Sequence, residues 1–174
     1  MKVFLPFTEI QPGTLTSLTP YEYVPIAMED NFSYPRYFKG RWREGESFIN
    51  CEHDTIFHKG AIEELIRCPE IWCAFGVSYA DKYAQGTAPN LSLVKFTSEF
   101  IKKFPDLWEQ MEDVEYVAKA WGVKPSNFET FKQNVWSSPW TLCDAWVFMA
   151  ATTEGIVCHQ HYPDVVNANP RYPS

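Results

Sequence analysis

Glu52-His53-Asp54 stands at the end of a short apolar run, "SFINC", and a helical pattern, "KGAIEELIR", begins five residues later. Alternate residues of an extended segment point the same way, so the carboxylates of Glu52 and Asp54 could converge on one ion. Hard cations such as Mg²⁺ and Mn²⁺ take oxygen ligands, often one or two carboxylates together with substrate phosphates. The competing reading is that Asp54 only caps the following helix or its turn. His159-Gln160-His161 follows "GIVC" and, if extended, places both imidazoles on one side, for a metal or a phosphate. Its plain alternative is a solvated strand end. Asp144 sits in the first half of a strongly helical stretch, where the helix N-terminus favours the ionised carboxylate. Facing a cleft it would serve as a general base; facing solvent it would only complement the helix charge.

Positive charge is concentrated once. Arg36, Lys39, Arg41 and Arg43 interleave with Tyr34, Tyr37, Phe38 and Trp42 in a segment read as a loop from its Pro, Gly and Asn content. That loop is either a diphosphate clamp, a stacking surface for bases, or a solvated loop anchored by its aromatic rings. No GxGxxG, P-loop, HExxH or GxSxG signature occurs, which removes the commonest dinucleotide, ATPase, zincin and α/β-hydrolase readings.

The elements that must position these groups alternate. "KVFLPF", "YVPIAM", "SFINC", "IWCAFGVSYA" and "GIVCHQHYP" read as strands, the fourth as the best buried central strand. "TLTSL" offers at most one helical turn. Helices are expected at "KGAIEELIR", with Ile62, Leu65 and Ile66 on one face, and at "TSEFIKKF", capped by Thr97 or Ser98. Further helices are expected at "EDVEYVAKAWG", closed by Gly122, at "PSNFETF", with a Ser126–Glu129 capping box, and at "SSPWTLCDAWVFMAATTEG". The last has Ser138 as N-cap, Pro139 in the first turn and Gly155 as the stop. This alternation predicts an α/β fold, a three-layer α/β/α sandwich with a mixed, mostly parallel central sheet, in a single domain over residues 1–174.

Composition bounds the function. The 174 residues are 45% hydrophobic and 17% aromatic, which supports a packed core and argues against disorder. A formal net charge of −7 argues against extensive contact with a nucleic-acid backbone or an anionic membrane. Five cysteines without CxxC spacing point to reduced thiols and a cytoplasmic setting. No apolar run approaches the ~20 residues of a membrane-spanning helix.

Taken in order, these pieces resemble the GT-A glycosyltransferases, in particular small family-2-like members with an abbreviated N-terminal half. "FINCEHDTIFHKGAIEELIRCPEIWCAF" is similar to the segment in which a strand ends in a D-x-D-type motif and runs into a helix, with E-x-D in its place. "NLSLVKFTSEFIKKFP" is similar to the acceptor-side segment, "WTLCDAWVFMAATTEG" to the helix opened by a catalytic acid, and "VCHQHYPDVV" to the strand bearing a late metal ligand. The resemblance covers residues 43–166. It implies a nucleotide-diphosphate sugar as donor and Mn²⁺ or Mg²⁺ held by Asp54, Glu52 and His161. It also implies Asp144 as catalytic base, with Arg43, Glu52, Phe7 and Thr8 on the donor. The acceptor stays open among a sugar, a protein, a lipid-linked sugar and a modified DNA base. Two further readings are a non-catalytic nucleotide- or partner-binding protein on a reduced GT-A scaffold, and a zinc hydrolase using His53, Asp54, His159 and His161.

Overall fold

The computed structural model describes residues 1–79, 90–136 and 142–167. Seven strands form one sheet: β1 (Lys2–Phe7), β2 (Tyr23–Ala27), β3 (Phe48–Cys51), β4 (Thr55–Ile56), β5 (Trp72–Tyr79), β6 (Leu93–Phe96) and β7 (His159–Asn167). Their spatial order is β2-β1-β3-β6-β5-β7-β4. The pairs β1–β2, β1–β3 and β5–β7 are parallel, whereas β3–β6, β5–β6 and β4–β7 are antiparallel. Pairing is therefore evenly mixed, where the sequence reading expects a mostly parallel sheet. Direction is less even, because only β6 and β4 run against the other five strands. Pro25 is tolerated because β2 is an edge strand, with one side free of ladder bonds.

The helices are α1 (Pro12–Leu18), α2 (Ser33–Glu44), α3 (Ala61–Arg67), α4 (Ser98–Lys103), α5 (Leu107–Gln110), α6 (Val114–Ala120), α7 (Phe128–Phe131) and α8 (Cys143–Thr153). Strand residues of opposite parity feed two cores. Phe4, Phe48, Val94, Phe96, Trp72 and Ala74 pack with Phe38 and Trp42 of α2, Phe100 of α4, Trp108 of α5 and Trp146 of α8. Val3, Leu5, Ile49, Leu93, Cys73 and Phe75 pack with Leu18 of α1 and with Ala61, Ile62 and Leu65 of α3. No helix among the described residues is long and apolar enough to cross a membrane.

Several local expectations change in the structure. The basic-aromatic loop is the helix α2. Tyr34, Tyr37, Phe38 and Trp42 recur at helical spacing, so one face can be apolar throughout. Pro35 falls in the first turn, where a missing N–H loses no intrahelical bond, and Gly45, at φ 69°, closes the helix by donating to the Arg41 and Trp42 carbonyls. "TLTSL" belongs to a seven-residue helix whose first residue is Pro12. Ile66 is exposed, because the face of α3 turned to the sheet carries Ala61, Ile62 and Leu65. Thr97 caps α4 by accepting from the Phe100 N–H. The Ser126–Glu129 capping box does not form; Ser126 bonds to Asn127 instead, and residues 125–127 are a 3₁₀ turn leading into α7. The Ser138 cap and Pro139 lie outside the described residues. Strand β7 extends to Asn167, taking in part of the expected tail, because β5 and β4 supply its pairing partners.

Candidate active site

Parallel strands β1, β2 and β3 all end at one edge of the sheet, the edge at which open α/β sheets gather ligands. Because β6 runs the other way, the segment 90–92 enters it from the same edge. Glu52 follows β3 directly, and its side chain continues the parity of Phe48 and Asn50, on the face covered by α2 and α8.

Glu52 is half-buried and held at both oxygens. The Tyr34 hydroxyl donates to Oε1 at 2.6 Å, and the Ser92 hydroxyl donates to Oε2 at 2.8 Å. Asn50 Nδ2 donates to the Tyr34 hydroxyl at 3.1 Å and to the Leu91 carbonyl, tying α2, β3 and the 90–92 segment together. Asp144, in the first turn of α8, accepts from the Leu91 N–H at 3.1 Å. Asp54 is buried at 5% exposure, and its Oδ1 has no hydrogen-bond partner. Asn50 Oδ1 is a second buried oxygen in this condition.

These acids share one field. Burial pushes the Glu52 carboxyl up to about 8, with the charges of Asp144 and then Asp54 adding to it. Burial likewise raises Asp144 to about 6, against a smaller opposing effect of the Leu91 N–H. Tyr34 is held far above the ordinary phenol range, first by burial and then by the charges of Glu52 and Asp144. A group poised near neutrality by desolvation and like charge is suited to proton transfer. Unpaired carboxylate and amide oxygens beside a raised acid are also what a hard cation would relieve.

The raised Glu52 has a consequence for stability. An unfolded glutamate ionises near pH 4.3, so between there and about 8 the folded chain keeps a proton that the unfolded chain has lost. Stability therefore falls as pH rises through this window, and the loss is complete above the folded pKa. Glu52→Gln keeps an acceptor for Tyr34 and removes the charge. Urea melts at pH 5 and pH 8.5 should show the wild type losing on the order of 1 kcal/mol or more, and the variant clearly less. Equal losses in both proteins would show that Glu52 is not the group responsible.

Other residues singled out from sequence are placed as follows. Phe7 is half-buried and Thr8 exposed, at the carboxyl end of β1 on the same edge as Glu52. Arg43 lies nine residues beyond Tyr34 along α2, about 13 Å at helical rise, and is bound to Glu109. The other α2 cations are committed too: Arg36 to Asp30, Lys39 to Glu109 and Glu112, and Arg41 to Glu44. The segment offers an apolar face to the core and an ion-paired face to solvent, which is nearest to the third of its three readings, a solvated segment anchored by its aromatic rings, although as a helix. His161 does not join the carboxylates. It pairs with Phe75, whose side chain lies in the α3-side core, and β7 stands three strand spacings from β3, about 14 Å. His53 presents its carbonyl to the Gln11 N–H, and His58 bonds to Glu64. Of the zinc set, His159 and His161 lie together on β7, and His53 and Asp54 do not join them in a ligand cluster among the described residues.

Sequence reasoning missed Tyr34, Asn50 and Ser92. Tyr34 falls in the segment whose composition reads as a loop, and nothing local marks Asn50 or Ser92, whose roles come from strands adjacent in space. An asparagine inside the apolar "SFINC" was the one available signal, because a buried amide demands partners.

No family model matches the chain, and no curated protein does. Among solved structures, the chain is similar to a glycosyltransferase involved in the glycosylation of the major capsid of PBCV-1, with a TM-score of 0.41 and 10% identity, over 94% of this chain and 81% of that one. It is also similar to A197 from STIV, with a TM-score of 0.40 and 13% identity, over 59% of this chain and 68% of that one. At these scores the likenesses do not establish a shared fold or activity, and the functional reading rests on the site.

Proposed function

We propose that the chain is a glycosyltransferase that moves a sugar from a nucleotide-diphosphate donor to an acceptor hydroxyl, on a reduced GT-A-like α/β/α scaffold. The observation that carries this reading is the acidic cluster at the carboxyl edge of the sheet: Asp144, distant in sequence, bonds to the segment beside Glu52, and its charge and that of Asp54 both act on the Glu52 carboxyl. Asp54, with its unpartnered Oδ1, and Glu52 would hold Mn²⁺ or Mg²⁺ there, joined by donor phosphate oxygens. His161 is left out of this set by its place on the other face. Such a cation neutralises charge on a departing diphosphate, a contribution of several kcal/mol in comparable sites.

The protein groups have separate tasks. Asp144 takes the proton of the acceptor hydroxyl as that oxygen bonds to the anomeric carbon and the carbon–oxygen bond to the diphosphate breaks. Its raised pKa keeps it ionised at neutral pH yet basic enough to help. Tyr34 and Ser92 fix the Glu52 carboxyl, and Asn50 fixes Tyr34. Phe7 and Thr8, at the same edge, would meet the nucleotide. Because Glu52 carries a proton at neutral pH, cation binding should expel it.

Thermal shift against a panel of nucleotide sugars with Mn²⁺ or Mg²⁺, followed by hydrolysis assays on the stabilising donor, tests the proposal. A nucleotide-diphosphate sugar should stabilise and turn over only with the cation. Asp54→Asn should weaken calorimetric binding of nucleoside diphosphate with Mn²⁺ by at least about tenfold. Unchanged affinity in that variant would remove Asp54 from the metal set. A non-catalytic nucleotide- or partner-binding protein is the second reading, favoured by the commitment of every α2 cation to an ion pair. It predicts stabilisation by a nucleotide without turnover of any donor.

A further inference from the structure

The face of the sheet turned away from the carboxylates carries a second group of metal-ligating side chains. Cys68 ends α3, and His159 and His161 open β7. One ligand atom from each lies within 4.8 Å of the other two, the only such trio among the described residues. Cys68 Sγ and His159 Nδ1 are 3.1 Å apart. The two imidazoles are neighbours, with ring centroids 4.7 Å apart, because residues i and i+2 of a strand share a face. His161 Nε2 is buried and has no hydrogen-bond partner.

From these observations we propose that Cys68, His159 and His161 form a zinc site, distinct from the acidic cluster, with solvent in the fourth position. The donor set is one thiolate and two imidazoles, which suits a borderline-soft ion and suits Mg²⁺ or Mn²⁺ poorly. Tetrahedral coordination at Zn–S of about 2.3 Å and Zn–N of about 2.0–2.1 Å puts ligand atoms roughly 3.3–3.6 Å apart, so the trio closes on an ion with side-chain movements of about 1 Å. His159 is exposed and Cys68 buried, so the ion would sit at the surface with one side open to water. Binding releases the thiol proton to solvent. Two charged groups stand nearby: buried Lys95, whose ammonium donates to the Cys68 carbonyl, and Glu64, already engaged by His58.

Such a site would pin the end of α3 to the start of β7 across 91 residues of chain, adding a cross-link where β7 would otherwise rest on strand pairing and packing. It therefore makes metal content a determinant of stability, independent of sugar transfer.

The full-length chain, stripped of metal, is titrated with Co²⁺ and followed in the ultraviolet and visible. The expected result is one Co²⁺ per chain with a thiolate-to-cobalt charge-transfer band, displaced by Zn²⁺, and a melting temperature raised by Zn²⁺. Cys68→Ser should abolish the band. His159→Gln, an exposed substitution that the fold should tolerate, should weaken Co²⁺ binding about 10- to 100-fold and keeps the test open if the cysteine variant fails to fold. Asp54→Asn should leave the band untouched, since carboxylate-bound Co²⁺ gives no such band, so failure here and failure of the glycosyltransferase reading are separable. Absence of a thiolate band, its persistence in Cys68→Ser, or unchanged affinity in His159→Gln would each overturn the proposal and reduce the trio to a cysteine–histidine hydrogen bond.

Discussion

Asp144→Asn is expected to lower sugar transfer by about 10²- to 10⁴-fold while leaving nucleotide affinity nearly unchanged, the loss typical of a positioned general base. The substitution is nearly isosteric, and the new amide oxygen can still accept from the Leu91 N–H, so the segment 90–92 keeps its anchor to α8. What disappears is basicity. The wild-type rate should rise with pH through about 6, as the Asp144 proton is lost, and the variant should lack this limb. A second sign follows from the cluster. Removing the Asp144 charge takes away the largest like-charge influence on Glu52, so the Glu52 carboxyl should ionise at lower pH in the variant. Transfer rates with saturating donor, and the Glu52 titration followed by carboxyl-labelled NMR, read the two effects separately. A variant that retains full rate would assign the base elsewhere and leave Asp144 as a structural acid.

Phe38→Ala should cost about 3–5 kcal/mol, the range for truncating a fully buried aromatic ring. Phe38 is completely buried and lies at the centre of the larger core. It stacks on Trp108 with centroids 4.6 Å apart and planes 10° from parallel, and it meets Tyr34 edge-on at 4.9 Å and Phe96 edge-on at 6.1 Å. The alanine variant loses the transfer energy of the ring and leaves a void that flanking Trp42 cannot fill without leaving its bond to the Phe104 carbonyl. Against a typical total stability of about 5–15 kcal/mol, this is a large fraction, equivalent to a melting temperature lower by roughly 6–20 °C. Urea denaturation gives the loss directly. A change under about 1 kcal/mol would mean that the ring is not packed as described. Because Tyr34 rests on Phe38 and holds Glu52, Phe38→Leu should be the more informative variant for function: it fills most of the space but withdraws the edge-on support of Tyr34.

The legible part of this protein was local. β1, β3 and β5 are short apolar runs bounded by turn residues, and α3, α4, α6 and the body of α8 follow from apolar spacing and from caps such as Thr97 and Gly155. Glu52, Asp54 and Asp144 are noticeable as acids at a strand end and in a first helical turn, but capping and helix-charge complementarity explain such acids equally well until their neighbours are known. α2 was hidden because Pro35, Gly40 and Gly45 count as breakers in composition, although two of them sit at helix ends, where the backbone tolerates or requires them. β4, two residues long, exists only because β7 arrives to pair with it.

The sequence by itself determined β1, β3, β5, α3, α4, α6 and the body of α8, and which residues carried protons worth watching, because periodicity, capping and residue chemistry act over a few positions. Tertiary structure alone decided which of those residues meet. A strand has two faces, and one step of parity sends Glu52 toward Asp144 and α2, while the partner strand sends His161 toward Cys68 and α3. Strand order then separates the two groups by three spacings, and that order depends on long-range pairing that no short window of sequence contains. The same histidine read as a ligand for the acids thus belongs to the opposite side of the sheet.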